Sequence, residues 1–296
     1  MTIDEARERY EQYKYEIHNR NDHTHEDALI EVTEFLVRET NDPWYTFDLG
    51  GWYYGEKKYD LALKYYELTY ELGDRAAASC LGYIWYYGRT GTVDYEKAFR
   101  YFSEAAALGD GGGKRKLADM YRNGYFVAKD EAKYRRIIEE LYEEHKDDEH
   151  AFVELPDILV RLAEIRRQEG RIDEAVEMYL AARDLLQVRM CYTEFFGDIT
   201  IMESLIGNLY QLIEPDFADL DLFDLFEILK QPGAVRFRWN GNPYTVRAVI
   251  EDGTFAVSFQ DRWYCSVHEL FEKAKLEGKP RYVRYPEIYA LEVIHE

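Results

Sequence analysis

The 296-residue sequence predicts a mainly α-helical chain: a right-handed α-α superhelix of helix hairpins that ends in a small α+β module. Three observations carry that expectation. A Leu-Gly pair followed by an aromatic recurs at a near-constant interval from Trp44 onward. The flanking segments place apolar residues at helical spacing, and beyond Pro232 the spacing switches to strict alternation.

Thr2 and Glu5 have the spacing of a capping box, and Ala6, Tyr10, Tyr13 and Ile17 follow on one helical face. After the polar break at Asn19 to His25, Leu29, Val32 and Leu36 mark a second helix that stops near Asn41-Asp42-Pro43. These helices, within residues 3–40, form a cap ahead of the repeats.

Leu49-Gly50 recurs as Leu81-Gly82 and as Leu117-Ala118, 32 and 36 residues further on, with Tyr53, Trp85 and Tyr121 four residues after each Leu. Gly55, Gly88 and Gly124 are expected to end the first helix of each unit. Ala62, Ala98 and Ala132 mark the second helices, with Tyr65-Tyr66 and Tyr101-Phe102 in matching places, and Gly73 and Gly109 close them. A fourth unit reads Leu162-Ala163, then Gly170 to Ala175, Tyr179 and Ala182. Small residues at Gly50, Gly82, Ala118 and Ala163 let two helices approach closely while large aromatics fill the space beside them.

These residues resemble the Sel-like repeat family, a branch of the tetratricopeptide repeat superfamily, over about residues 44–190. The second unit carries the pattern best: Leu81-Gly82, Trp85, Gly88, Lys97-Ala98, Tyr101-Phe102, Ala105-Ala106 and Gly109. The third departs at Ala118 and lacks the closing Gly, and the fourth has Arg166 where an aromatic is expected. The predicted repeats span 44–74, 75–110, 111–144 and 155–187, with a second cap at 195–230, so the solenoid occupies 1–230 and the module 232–296. In the cap, Ile201, Leu205, Leu209 and Leu212 share a helical face ahead of the acidic, Leu/Phe-rich run from Phe217 to Leu229.

The module begins where Val235, Phe237 and Trp239 alternate with Arg236 and Arg238. The turn Asn240-Gly241 leads into Tyr244, Val246 and Ala248. A third strand carries Phe255, Val257 and Phe259, a helix opens at Ser266 with Glu269, and a last strand covers Ile288–Ile294. The predicted order is β-β-β-α-β.

Composition excludes several functions. There are 58 acidic against 37 basic side chains, and residues 232–296 hold nine of each, so the whole net charge of −21 precedes Pro232. Such a body repels phosphate backbones and anionic lipid, which disfavours nucleic acid and membrane surfaces as partners of residues 1–231. Cys80, Cys191 and Cys265 have no CxxC spacing, and the start has neither a basic nor an apolar leader pattern, so a cytoplasmic, reducing compartment is expected. No GxSxG, GxxxxGK[ST] or HExxH motif occurs. His18, His23 and His25 beside Asp22, Glu26 and Asp27 lack metal-site spacing, and Gly111-Gly112-Gly113 follows no strand and so does not read as a phosphate cradle.

The resemblance implies a non-enzymatic scaffold or adaptor without a cofactor, holding a protein or peptide partner against the first helices of the units. By position from each Leu-Gly pair, the groove residues are Trp44, Phe47 and Tyr54, then Ser79, Tyr83, Tyr86 and Tyr87, then Arg115, Asp119, Arg122 and Asn123. Aromatics would bury apolar side chains, and the two arginines would clamp a carboxylate. A second surface is expected where Arg236, Arg238 and Arg247 share a sheet face near Trp263 and Tyr264. The rival readings are single-stranded nucleic-acid binding by the module and an enzyme activity within it.

Overall fold

The computed structural model describes residues 1–296 except 21, 23, 149, 193–196, 215–220, 252–253, 277–278, 281–287 and 295–296. It divides into two compact units, Met1–Ile137 and Ile138–Glu296. The fold class is the expected one, helix hairpins followed by a small antiparallel sheet.

The first unit contains α1 (Ile3–Arg20), α2 (Glu26–Thr40), α3 (Pro43–Gly55), α4 (Tyr59–Glu71), α5 (Ala77–Tyr87), α6 (Tyr95–Ala107) and α7 (Gly111–Asn123). It also contains the start of α8 (Glu131–His145). The Thr2–Glu5 box opens α1, each backbone N–H donating to the other's side chain at 2.8 and 3.2 Å. Successive helices from α1 to α7 pack on one another, so the core is a row of buried side chains from Ala6 and Tyr10 through Leu49 and Leu81 to Met120.

The seam between paired helices rests on the small residues. A methyl on Gly50 would lie 2.6 Å from the Tyr66 ring, and one on Gly82 would lie 2.6 Å from the Phe102 ring. Ala62 and Ala98 are fully buried on the facing helices. The closest approach between α6 and α7 depends on Gly113, whose added methyl would sit 2.6 Å from Ala105 Cβ. The triple glycine is therefore the first turn of α7, capped by the Asp110 carboxylate.

The loops set the register. Gly88 and Gly124 are left-handed helix caps at φ 59° and 71°, the conformation that glycine adopts without a Cβ penalty. Behind them Asp94 N–H donates to Trp85 O at 3.0 Å and Asp130 N–H donates to Tyr121 O at 2.9 Å. Asp94 and Asp130 then cap the next helices by accepting from Lys97 and Lys133 N–H. This loop repeats after 36 residues, so the counterpart of buried Ala98 is Tyr134, which is buried, and not Ala132, which is exposed. α3 ends at Gly55, as expected, but the left-handed residue of the turn that follows is Lys57 at φ 60°.

The second unit holds the rest of α8, then α9 (Leu155–Gln168), α10 (Ile172–Tyr192), α11 (Asp198–Leu209), a 3-10 turn at Leu222–Asp224 and α12 (Leu225–Ile228). Ala163, Ala175, Tyr179 and Ala182 are fully buried in the α9–α10 hairpin. Arg166, standing in the aromatic's place, makes ion pairs with Glu139 and Glu169 at 3.2 Å each. Buried Arg189 ties the hairpin to α11, pairing with Asp157 at 3.0 Å and Asp198 at 2.7 Å. The second cap is not one continuous helix: α11 ends at Leu209, and Phe217 lies outside the described residues.

The sheet strands are β1 (Gly233–Trp239), β2 (Asn242–Glu251), β3 (Thr254–Phe259) and β4 (Arg262–Tyr264), then α13 (Val267–Lys273), the short pair β5 (Lys275–Leu276) and β6 (Lys279–Pro280), and β7 (Ile288–Ile294). The five-stranded sheet is antiparallel in the order β4-β3-β2-β1-β7. The predicted β-β-β-α-β order omitted β4, β5 and β6. β4 has only three residues, and its turn places Gln260 and Asp261 at φ 49° and 60° without the glycine that signals such hairpins. Phe271 of α13 stacks on Phe226 at 4.5 Å and on Phe223 at 5.5 Å, so the sheet module and the second cap share one core.

Candidate functional site

In the first unit, α5 and α7 pack against each other and bring together a cluster of tyrosines and cations. Lys116 extends from α7 and is 8% exposed. Its ammonium donates to Tyr87 Oη at 2.7 Å, lies 3.6 Å from the Asp119 carboxylate, and sits over the rings of Tyr87, Tyr86 and Tyr83 at 5.0, 5.1 and 5.7 Å. The rings supply the electron-rich faces that a desolvated cation needs, each worth about 0.5–2 kcal/mol. Burial pushes the Tyr86 hydroxyl well above the usual phenol range, with Asp119 adding to the rise.

A second cation completes the cluster. Arg89, just past the Gly88 cap, lies over the rings of Tyr87, Tyr59 and Tyr54 at 4.9, 5.4 and 5.9 Å, and its Nε donates to Tyr54 Oη at 3.3 Å. Burial raises the Tyr54 hydroxyl, and Arg89 opposes the rise. The Tyr87 ring is thus within cation–π range of both cations while the residue remains 44% exposed. The cluster holds the Tyr87 ring between two cations, one of them paired with Asp119.

Of the sequence-predicted residues, Tyr54, Tyr83, Tyr86, Tyr87 and Asp119 belong to this cluster. Trp44 lies elsewhere, 61% exposed, its Nε1 donating to Tyr10 Oη at 3.1 Å. Phe47 is half-buried against Tyr66 at 5.7 Å, a core contact. Arg115 and Ser79 are half-buried, Asn123 is exposed, and Arg122 stacks on Tyr134 at 5.3 Å. Lys116, Arg89 and Tyr59 were not anticipated. Counting from the Leu-Gly pairs samples only first-helix positions, whereas Arg89 lies in a loop and Tyr59 opens a second helix; the i, i+3 spacing of Lys116 and Asp119 was the available signal.

In the second unit, Arg236, Arg238 and Arg247 all lie on the exposed face of the sheet, and Trp263 shares it. Tyr264 points to the other, buried side. Among the described residues no group of three or more His, Cys, Asp or Glu side chains is placed to hold a metal ion. His25 stacks on Tyr13 and pairs with Glu16 at 2.8 Å, while His23 lies outside the described residues. Among the described residues no helix is long and apolar enough to cross a membrane.

Neither a family model nor a curated protein matches the chain. Solved structures similar to it include a Sel1 repeat protein from Oxalobacter formigenes, 22% identical with a TM-score of 0.48, the match covering 64% of this chain and 72% of that one. Another is c5321, a protective antigen of uropathogenic Escherichia coli displaying an SLR fold, 19% identical with a TM-score of 0.42, over 64% of this chain and 45% of that one. A third is pilF of Pseudomonas aeruginosa, 15% identical with a TM-score of 0.46, over 72% of this chain and 95% of that one. In fold the chain is a stack of helix hairpins whose seams close on Gly50 and Gly82 and whose Gly88 and Gly124 loops repeat after 36 residues.

Proposed function

We propose that the chain is a non-enzymatic interaction scaffold that holds a protein or peptide partner against the first helices of its repeats. The observation that carries this reading is Tyr87, an exposed ring braced by Lys116 on one helix and Arg89 on the adjoining loop. An anchor whose rotamer is already locked loses little entropy on binding, and Tyr and Arg are the residue types that dominate interface energies. The surrounding positive charge favours an acidic peptide carrying an apolar or aromatic side chain.

The test is selection from a displayed random-peptide library on the purified full-length chain, followed by calorimetry of the selected peptides. Peptides rich in Asp or Glu with an aromatic residue are expected, and Tyr87→Ala and Arg89→Ala should each weaken them at least tenfold. Failure to enrich any peptide, or wild-type affinity in both variants, would remove the proposal.

A further inference from the structure

The exposed face of the sheet carries an ordered row that the repeats do not explain. One rung runs across all five strands: Trp263 of β4 is opposite Ser258, Ser258 opposite Arg247, Arg247 opposite Ala234, and Ala234 opposite Ile294. On the next rung Thr245 faces Arg236, and one rung further Pro243 faces Arg238. The α-carbons of the three arginines therefore stand at steps of about 7 Å, diagonally from Arg247 on β2 to Arg236 on β1 and then along β1 to Arg238, and Trp263 stands two strands, about 10 Å, from Arg247. Trp263 is 60% exposed. The opposite face is closed by Val235, Phe237, Val246, Val257 and Phe259, all buried, so the row is held on a rigid support.

We propose that this face is a platform for single-stranded nucleic acid, with the Arg247–Arg236–Arg238 diagonal tracking the phosphates and Trp263 stacking a base. The charge is complementary to a phosphate backbone, and among the described residues Glu292 stands on the row, 3.7 Å from Arg236. That pair is exposed, and a phosphate replaces its carboxylate at little cost. The shape favours a base over an acidic polypeptide. Ser258, Thr245 and the buried Ala234 occupy the positions around the cations, all with side chains too short to form a wall beside them. A peptide anchor gains its energy by filling a pocket, whereas a base needs only the flat face of a ring. The acidity of residues 1–231 opposes long-range attraction, so binding is expected in the micromolar range at low salt and not tighter.

The experiment is fluorescence anisotropy of labelled oligothymidylate and oligouridylate with the full-length chain at low salt. Three phosphate contacts predict a log–log salt slope of about −2, so a tenfold rise in salt weakens binding about a hundredfold. Trp263→Ala and the double variant Arg236→Glu/Arg247→Glu should each weaken binding at least tenfold with an unchanged circular dichroism spectrum; Arg236→Lys/Arg247→Lys should retain most of it. No anisotropy change at any protein concentration, an unaffected Trp263→Ala, or displacement by poly-glutamate as effective as by unlabelled oligonucleotide would overturn the proposal, the last identifying an acidic-polypeptide surface instead.

Discussion

The ring of Phe102 lies so close to the α-carbon of Gly82 that a methyl group there would come within 2.6 Å of it. The same relation joins Tyr66 to Gly50, although the sequence separations are 20 and 16 residues, because the second unit's longer loop absorbs the difference. The closeness of helix to helix is therefore conserved between units while the loop is not.

Gly82→Ala is expected to destabilise the chain by about 1–3 kcal/mol through overpacking. The sequence of the third unit suggests the compensation: 36 residues after Gly82 and Phe102 stand the larger Ala118 and the smaller Ile138. Gly82→Ala/Phe102→Ile should then be more stable than the sum of its two single variants, as read by urea denaturation in a double-mutant cycle. Additivity would mean that the ring does not limit the approach.

Lys116→Met removes a cation that stands 3.6 Å from buried Asp119. A loss of about 3–5 kcal/mol is expected, as for any buried pair broken on one side. Adding Asp119→Leu should recover part of it, whereas Arg122→Ala, on the separate Tyr134 ring, should change stability little. Thermal melts of the four proteins check the order.

Phe271→Ala takes away the ring that stacks between α13 and the Phe223/Phe226 pair, and a loss of about 3–5 kcal/mol is expected. Deleting residues 232–296 should leave the Phe223 and Phe226 side chains without that cover, lowering the melting temperature and raising binding of a hydrophobic dye. A deletion that melts like the full chain would mean that the cap does not depend on the sheet module.

Hydrogen bonds from the Cys265 side chain, Lys273 and the Cys265 N–H hold the Glu269 carboxyl down to about 2, against an ordinary value of 4.5. A carboxyl depressed on folding contributes stability that is fully present above its unfolded pKa and is lost as pH falls toward its folded one. The stability difference between wild type and Glu269→Gln should accordingly shrink as pH falls from about 5 toward 2, measured by denaturant midpoints across that window. A difference independent of pH would contradict the assignment.

The repeats were legible because close approach demands small residues and tight reversals demand left-handed glycine, so Gly50, Gly82, Gly88 and Gly124 report geometry directly. The hairpin at Asn240-Gly241 was legible for the same reason, whereas the one at Gln260-Asp261 was not, since neither residue needs to be there. Ala132 misled because composition was matched without the loop register that Asp130 sets.

What the sequence by itself determined was the helix-hairpin architecture, the switch to strands after Pro232 and the alternation that puts three arginines on one sheet face. Tertiary structure alone decided which aromatics are core and which are surface: Phe47 and Tyr87 look equivalent as first-helix aromatics, yet one packs on Tyr66 and the other is held open by Lys116 and Arg89. Periodicity specifies the side of a helix on which a residue lies, but cations reaching in from a neighbouring helix and a loop depend on contacts that no local pattern encodes.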